Sequence, residues 1–230
     1  PAAQPKHQEF TRAILWWQSR FPGITILLSK KDVSDAFKWL WLQASYCGLF
    51  ATELSVEEGG EDLTKEERQA LQSLVAIYLS MTFGWVGAPG EFMAFTWVIK
   101  LLHGAHVLED ASWHDTTPFH CLVLMDDTAL IEPHLGLRAP FSVALAEACT
   151  RKVLGQDSIN QVKDAEEGRL ETRKLVWGLT YDTEDGSREL PSAKLEKAVH
   201  LLHDCAFDFG NLQSLLRDWQ ELRGNQEFWT

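Results

Sequence analysis

The sequence predicts an α+β fold, an antiparallel sheet backed by helices, and three observations point to it. The stretch His120–Pro133 is an apolar run that reaches Asp126-Asp127, leaves them in a second apolar run and stops at proline, which reads as a β-hairpin with two carboxylates at its tip. Ile24–Asp32 reads as a strand rich in β-branched and aliphatic residues that ends in a third carboxylate. Segments with helical spacing or helix-stop signals stand between the strand signals.

Taken from the start, His7–Ser19 carries Phe10, Ile14 and Trp17 at helical spacing and stops at Phe21-Pro22-Gly23. After the strand ending at Asp32 the chain turns away through Val33. From Ala36 to Leu49 it is compatible with helix or with a second strand, because Phe37, Trp39 and Trp41 alternate while Leu40, Ala44 and Cys47 do not. Glu57–Asp62 is a loop. Thr64-Lys65-Glu66-Glu67 has the form of a capping box and predicts a helix through Leu71, Leu74, Val75, Tyr78 and Leu79. In Met81–Phe92 two glycines flank Trp85, then Pro89 opens a helix with Glu91 in its first turn, continuing to about His106. Gly84 and Gly87 would let backbone approach a ligand closely.

Beyond the hairpin, Pro140–Leu154 reads as a helix closed by Gly155, and Ser158–Lys163 as a short strand. Leu175–Asp182 and Ser187–Leu190 form a hairpin around Asp185-Gly186. Pro191 opens a helix with Leu195, Val199 and Leu202 on one side, and Asn211 caps a last helix with Leu212, Leu215, Leu216 and Trp219. His200 and His203 become surface neighbours rather than metal ligands, and His103 and His106 sit at a helix end where positive charge is favourable.

A chain of 230 residues can bury a core, as one domain or one domain plus a fragment, and 45% apolar content with ten Trp excludes a disordered protein. Four scattered Cys without a pair motif fit a reduced intracellular location, cytoplasm or nucleus. The N-terminus does not read as a signal peptide, and the apolar region Leu71–Ile99 is interrupted too often by Gly, Pro and Glu to span a membrane. The net charge of −12 opposes duplex nucleic-acid binding. Part of that charge is local, with seven acids in Glu53–Glu67 and four in Asp182–Glu189, both solvated surface.

Asp126 and Asp127 are like charges side by side, and the sequence next to them offers no cation. Asp tolerates the left-handed backbone of a tight turn, so a lone pair reads most simply as a solvated turn. Asp32 changes that weighting. Three carboxylates converging from strand ends bind hard divalent cations, Mg²⁺ above all. Two such ions about 4 Å apart clamp the attacking and leaving oxygens of a phosphoryl transfer. The first hypothesis is therefore a two-metal nucleotidyl transferase.

In this order the motifs resemble a family: the palm of a reverse transcriptase from an LTR-type or tyrosine-recombinase-type retrotransposon, with the start of the thumb attached. Lys31-Asp32-Val33-Ser34-Asp35-Ala36-Phe37 is similar to the family's first catalytic motif, Phe83–Phe92 to its template- and nucleotide-contacting motif, and Leu124-Met125-Asp126-Asp127 to its aspartate-pair signature. Asn160–Lys163 falls at its fourth motif, Trp177-Gly178-Leu179 at its primer-holding hairpin, and Pro191–Lys197 with Leu212–Leu216 at its thumb entry. The resemblance implies a polymerase palm with a ferredoxin-like core. It divides the chain into an N-terminal helix or fingers remnant (1–23), a palm with a fingers insertion around 44–80 (24–181), and the end of the primer-grip hairpin with thumb helices (182–230).

Roles follow from the resemblance. Asp32 and Asp126 would bind two Mg²⁺ (Mn²⁺ as a substitute) with the carbonyl of Val33, and Asp127 would support them. Phe37 would stack beneath the sugar and exclude a 2′-hydroxyl. Ser34, Asp35, Ala36, Phe83, Gly84, Trp85, Ala88, Pro89 and Met125 would line the nucleotide and template, Asp35 chiefly by fixing its turn. Lys163 would protonate the pyrophosphate leaving group. The implied partners are an RNA or DNA template with primer, a dNTP, and further polyprotein domains such as fingers, RNase H and integrase or recombinase, with no membrane. Two departures stand out. Leu124 replaces an aromatic that touches the primer end, and the basic fingers segment expected well before Ile24 is not in these residues. The alternative is a catalytically silent or domesticated scaffold with the same fold. Another two-metal enzyme, a nuclease or cyclase, is the third reading.

Overall fold

A computed structural model of the chain describes residues 5–53, 64–67, 75–108 and 115–203. Its elements are α1 (His7–Arg20), β1 (Ile26–Asp32), 3₁₀ turns at Ala36–Trp39 and Gly48–Phe50 on either side of α2 (Ala44–Cys47), β2 (Ala51–Glu53), β3 (Val75–Ile77), α3 (Ala88–Gly104), β4 (Cys121–Leu124), β5 (Asp127–Pro133), α4 (Arg138–Leu154), α5 (Gln161–Glu167), β6 (Arg173–Val176), β7 (Leu179–Asp182), β8 (Arg188–Glu189) and α6 (Ser192–Leu202). The mixture of helices and small antiparallel sheets agrees with the α+β expectation.

The central sheet has the order β1-β5-β4. Side chains alternate across a strand, so the register sorts them onto two faces. On one face Ile26, Leu28, Leu122, Ala129 and Ile131 meet Phe10, Ile14 and Trp17 of α1 and Val176, Trp177, Leu179 and Tyr181 of the β6–β7 hairpin. The three helix residues are those picked by helical spacing. On the other face Cys121, Val123 and Leu130 pack against Ala146 of α4, and α3 lies against α4 and β4. The outer edge of β1 is closed by the segment after α4: Leu28 exchanges backbone bonds with Glu171, Val33 bridges Ile159, and α5 spans the gap between the two. A second core gathers Val33, Ala36, Phe37 and Leu40 with Ala88, Phe92 and Ile99 of α3.

The ambiguous Ala36–Leu49 stretch is neither one helix nor one strand, but short turns broken by a bridge of Trp41 to Ser80. The capping box forms as expected: the Thr64 amide donates to Glu67 at 2.8 Å and the Glu67 amide donates to the Thr64 hydroxyl at 3.2 Å. The helix predicted to run through Val75, Tyr78 and Leu79 does not reach them. Val75–Ile77 pairs with Ala51–Glu53 instead, where alternating β-branched residues suit a strand. Leu71 and Leu74 lie outside the described residues. Ser158–Lys163 is not a strand: Ile159 makes a single bridge, and the Asn160 carboxamide then accepts from the Lys163 amide at 3.2 Å and caps α5. Leu175–Asp182 is two strands rather than one, because Trp177 and Gly178 (φ 49° and 88°) make a tight turn with both central residues left-handed. The helix after Pro191 forms, but Leu195 and Val199 are each 45% exposed, while Ala198 is buried. The Asn211 helix lies outside the described residues. Among the described residues no helix is long and apolar enough to cross a membrane, and Cys47, Cys121 and Cys149 are free thiols.

Candidate active site at the paired ends of the central strands

Strand pairing and the hairpin turn place the three acids at one end of the sheet. Asp32, last in β1, is the cross-strand partner of Asp127, first in β5, so both belong to the same face. The hairpin turn is Met125-Asp126, closed by the Leu124–Asp127 pair, and the Val33 amide donates to the Asp126 carbonyl at 3.1 Å. The left-handed residue in that turn is not an aspartate, as the tolerance of Asp suggested, but Met125 at φ 56°. Its side chain is half-buried against the Val33–Phe37 core, and a non-glycine residue in this region carries about 1–3 kcal/mol of strain.

The charges are offset from afar. Lys163 Nζ donates to Asp32 Oδ1 at 2.9 Å, and the Asn160 carboxamide approaches Oδ2 at 3.4 Å. Lys30 Nζ stands 3.4 Å from Asp127 and 2.7 Å from Glu167 of α5. The cations missing from the local sequence therefore come from two residues before Asp32 and from α5. They do not cancel the repulsion. Burial, with Asp126 and Asp32 adding to it, pushes Asp127 up to about 6, and burial with the Asp32 charge raises Asp126. Lys163 is raised above the ordinary lysine range by its bond to Asp32.

Oxygen donors at one sheet end suit a hard divalent cation by type and placement. As they stand, no three His, Cys, Asp or Glu side chains among the described residues are gathered to hold one. Asp32 and Asp127 are instead each paired with a lysine.

The expected substrate-contacting residues divide by burial. Val33, Ala36, Phe37 and Ala88 are buried, Ser34, Pro89 and Met125 half-buried, and Asp35, Phe83, Gly84 and Trp85 exposed. Phe37 is a core residue in this arrangement, edge-on to Phe92 and to Phe83, whose ring is 70% exposed. Asp35 fixes a turn, with φ 52° and an exposed ion pair to Lys38. Gly84, at φ 91°, needs glycine for its backbone, and a Cβ on Gly87 would fall 2.6 Å from the Trp85 ring. Trp177 and Leu179 are core residues, Trp177 edge-on to Phe10, and Leu124 packs on the same core.

Several groups escaped the sequence reading. Lys30 is at the site, and so is Asn160, which the resemblance set in the fourth motif without a role of its own and which was legible as a helix cap followed by Asp164. Arg138 carried no local signal. It is 2% exposed and joins Glu132 and Asp115, each at 2.7 Å. His103, expected to favour positive charge, is instead fully buried against Ser142, and burial pushes it down to about 4, so it is neutral.

No family model matches the sequence, and no curated protein matches it. Among the solved structures that match the fold are two viral enzymes. One is a foamy viral protease-reverse transcriptase in complex with RNA/DNA hybrid, at 14% identity and TM-score 0.53, over 88% of this chain and 21% of that one. The other is a foamy viral protease-reverse transcriptase in complex with double-stranded DNA, at 15% identity and TM-score 0.54, over 99% of this chain and 30% of that one. The chain thus spans less than a third of either viral protein, and at these identities the likeness shows a reverse-transcriptase-like fold.

Proposed function

We infer that the chain is the palm of a template-directed nucleic-acid polymerase, an RNA-directed DNA polymerase of a retroelement. The carrying observation is the register that sets Asp32 opposite Asp127 with the Asp126 turn bonded to Val33, in a fold shared with reverse transcriptases. In this reading Asp32 and Asp126, with the Val33 carbonyl, hold two Mg²⁺ and Asp127 supports them. The ions supply charge stabilisation for nucleotidyl transfer. Lys163 delivers a proton to the pyrophosphate, and Phe83, Gly84 and Trp85 face template and nucleotide. The palm covers 24–181 with its fingers insertion, the thumb begins at 182, and the retrotransposon class and intracellular location belong to the same proposal. Primer extension on an RNA template with Mg²⁺, with the chain extended N-terminally to restore the fingers, tests it. Wild type incorporates dNTPs and Asp126→Asn loses at least about 100-fold, the scale of a lost transition-state charge contact. Equal incorporation by both proteins removes the metal assignment.

A second reading, a silent scaffold that binds partners without extending primers, is favoured by one set of observations: lysines hold two of the three acids, and the chain is strongly acidic. Absence of incorporation by wild type with an intact fold, and no Mn²⁺ bound, would select it.

A further inference from the structure

We propose that the Lys31–Asp164 ion pair is a positioning device that holds Lys163 against Asp32. It rests on the polymerase reading for its catalytic meaning, not for its geometry. With seven residues, α5 is too short to be stable by its own hydrogen bonds, so contacts with β1 must fix its place. Lys163 and Asp164 are consecutive, so they leave the helix about 100° apart. Lys163 reaches Asp32 on the face of the active site. Asp164 reaches Lys31, which by strand alternation lies on the opposite face, beside Thr128. The helix therefore straddles the edge of β1, held on the Lys31 face by Asp164 and on the other by the Lys163–Asp32 and Lys30–Glu167 pairs.

The Lys31 side is the more deeply buried hold. Its side chain is 5% exposed, with Nζ 2.5 Å from Asp164 and 3.5 Å from Glu147 of α4, and Glu147 is paired in turn with Arg151 at 2.9 Å. A buried ammonium between two carboxylates is costly to unpair. Gly168 closes the other end of α5 onto the same carboxylate: a Cβ there would lie 2.5 Å from the Asp164 carbonyl and from its Oδ1. The Gly168 carbonyl accepts from Ser29 Oγ at 2.7 Å, which ties this turn to β1. The Lys163 contact, by contrast, belongs to a side chain 49% exposed. Lys31 cannot touch the reacting groups from its face. It acts by setting where α5 sits, and so how far Lys163 stands from Asp32.

Zero-length carbodiimide cross-linking read by mass spectrometry measures this contact directly, because only an amine and a carboxylate in contact are joined. The exposed Asp35–Lys38 pair is the internal control. Lys31→Met lowers the Asp32–Lys163 product about fivefold against that control, while Lys31→Arg, which keeps the ion pair, retains most of it. Asp164→Asn, a near-isosteric change, gives the same loss and decides the matter if Lys31→Met does not fold by circular dichroism. Unchanged product in the folded variants overturns the proposal. In primer extension, Lys31→Met lowers kcat with KM within about twofold, and adding Lys163→Met costs nothing further. Independent, multiplying losses overturn the link to Lys163. Loss of cross-link in a protein whose wild type incorporates no nucleotide supports the anchor and overturns the polymerase reading.

Discussion

Strand β5 carries a carboxylate near each end, and the two are treated in opposite ways. Glu132 is completely buried and completely answered: Arg138 Nε donates to one oxygen at 2.7 Å and Ser142 Oγ to the other at 2.9 Å. The guanidinium continues to Asp115 and the Thr117 carbonyl, between the rings of Trp17 and Phe119. Asp127, with its side chain 25% exposed, has one ammonium at 3.4 Å and two like charges as neighbours. One end is a closed polar core. The other is a set of acids whose repulsion is only partly relieved, as expected where a cation from outside completes the charge balance. Stability experiments can break or sharpen that contrast.

The largest effect belongs to the closed end. Arg138→Met leaves Glu132 and Asp115 buried without their cation, and should cost about 3–5 kcal/mol in urea unfolding. A cost under about 1 kcal/mol would mean that Arg138 is not what satisfies that end. The same network carries an opposed pair of pH effects. Burial, against the pull of Arg138, pushes Glu132 up to about 7, while burial pushes His103 down to about 4. The raised Glu132 contributes stability that is full below about 4.5 and is lost as pH rises through 7. The depressed His103 contributes stability that is present above about 6.5 and is lost as pH falls towards 4. In wild type the two nearly cancel between pH 4.5 and 6.5. Relative to wild type, Glu132→Gln should lose stability on acidification below pH 7, and His103→Gln should gain it below pH 6.5, each by at most ~1.4 kcal/mol per pH unit. Parallel curves for all three proteins would contradict the burial of these groups.

The two ends also differ in how far the sequence announced them. Asp32 and Asp126-Asp127 end or interrupt apolar runs, a pattern visible locally, and strand pairing sets Asp32 opposite Asp127. The first helix was visible in Phe10, Ile14 and Trp17, and the start of α3 in Pro89 and Glu91. Arg138, Glu132 and Asp115 give no such pattern, because each looks like a surface charge until tertiary packing covers it. Ile159 and Val162 suggest a strand over Ser158–Lys163, but Asn160 caps a helix there and ends the extended stretch after one bridge. The Val75–Leu79 helix failed because pairing with Ala51–Glu53, distant in sequence, overrode local helical spacing. Lys30 and Lys31 look alike in sequence. Alternation sends one to the face of Asp127 and the other to the face of Glu147 and Asp164.

The smallest effect has the opposite sign and lies at the open end. Asp127→Asn removes a charge that burial and two neighbouring acids disfavour, and keeps the shape of the side chain. Near pH 7.5 it should stabilise the fold by about 1–2 kcal/mol, allowing for partial exposure and for the ion pair to Lys30 that is lost. Under the polymerase reading the same change lowers primer extension, so stability and activity move in opposite directions. Mg²⁺ gives a second comparison: at ten times its Kd a bound cation adds about 1.4 kcal/mol to wild type, and less to Asp127→Asn. Destabilisation by Asp127→Asn, on the scale of a well-satisfied carboxylate, would erase the difference between the two ends of β5. The lysines would then be a finished salt-bridge network, and the silent scaffold would be the better account of the chain.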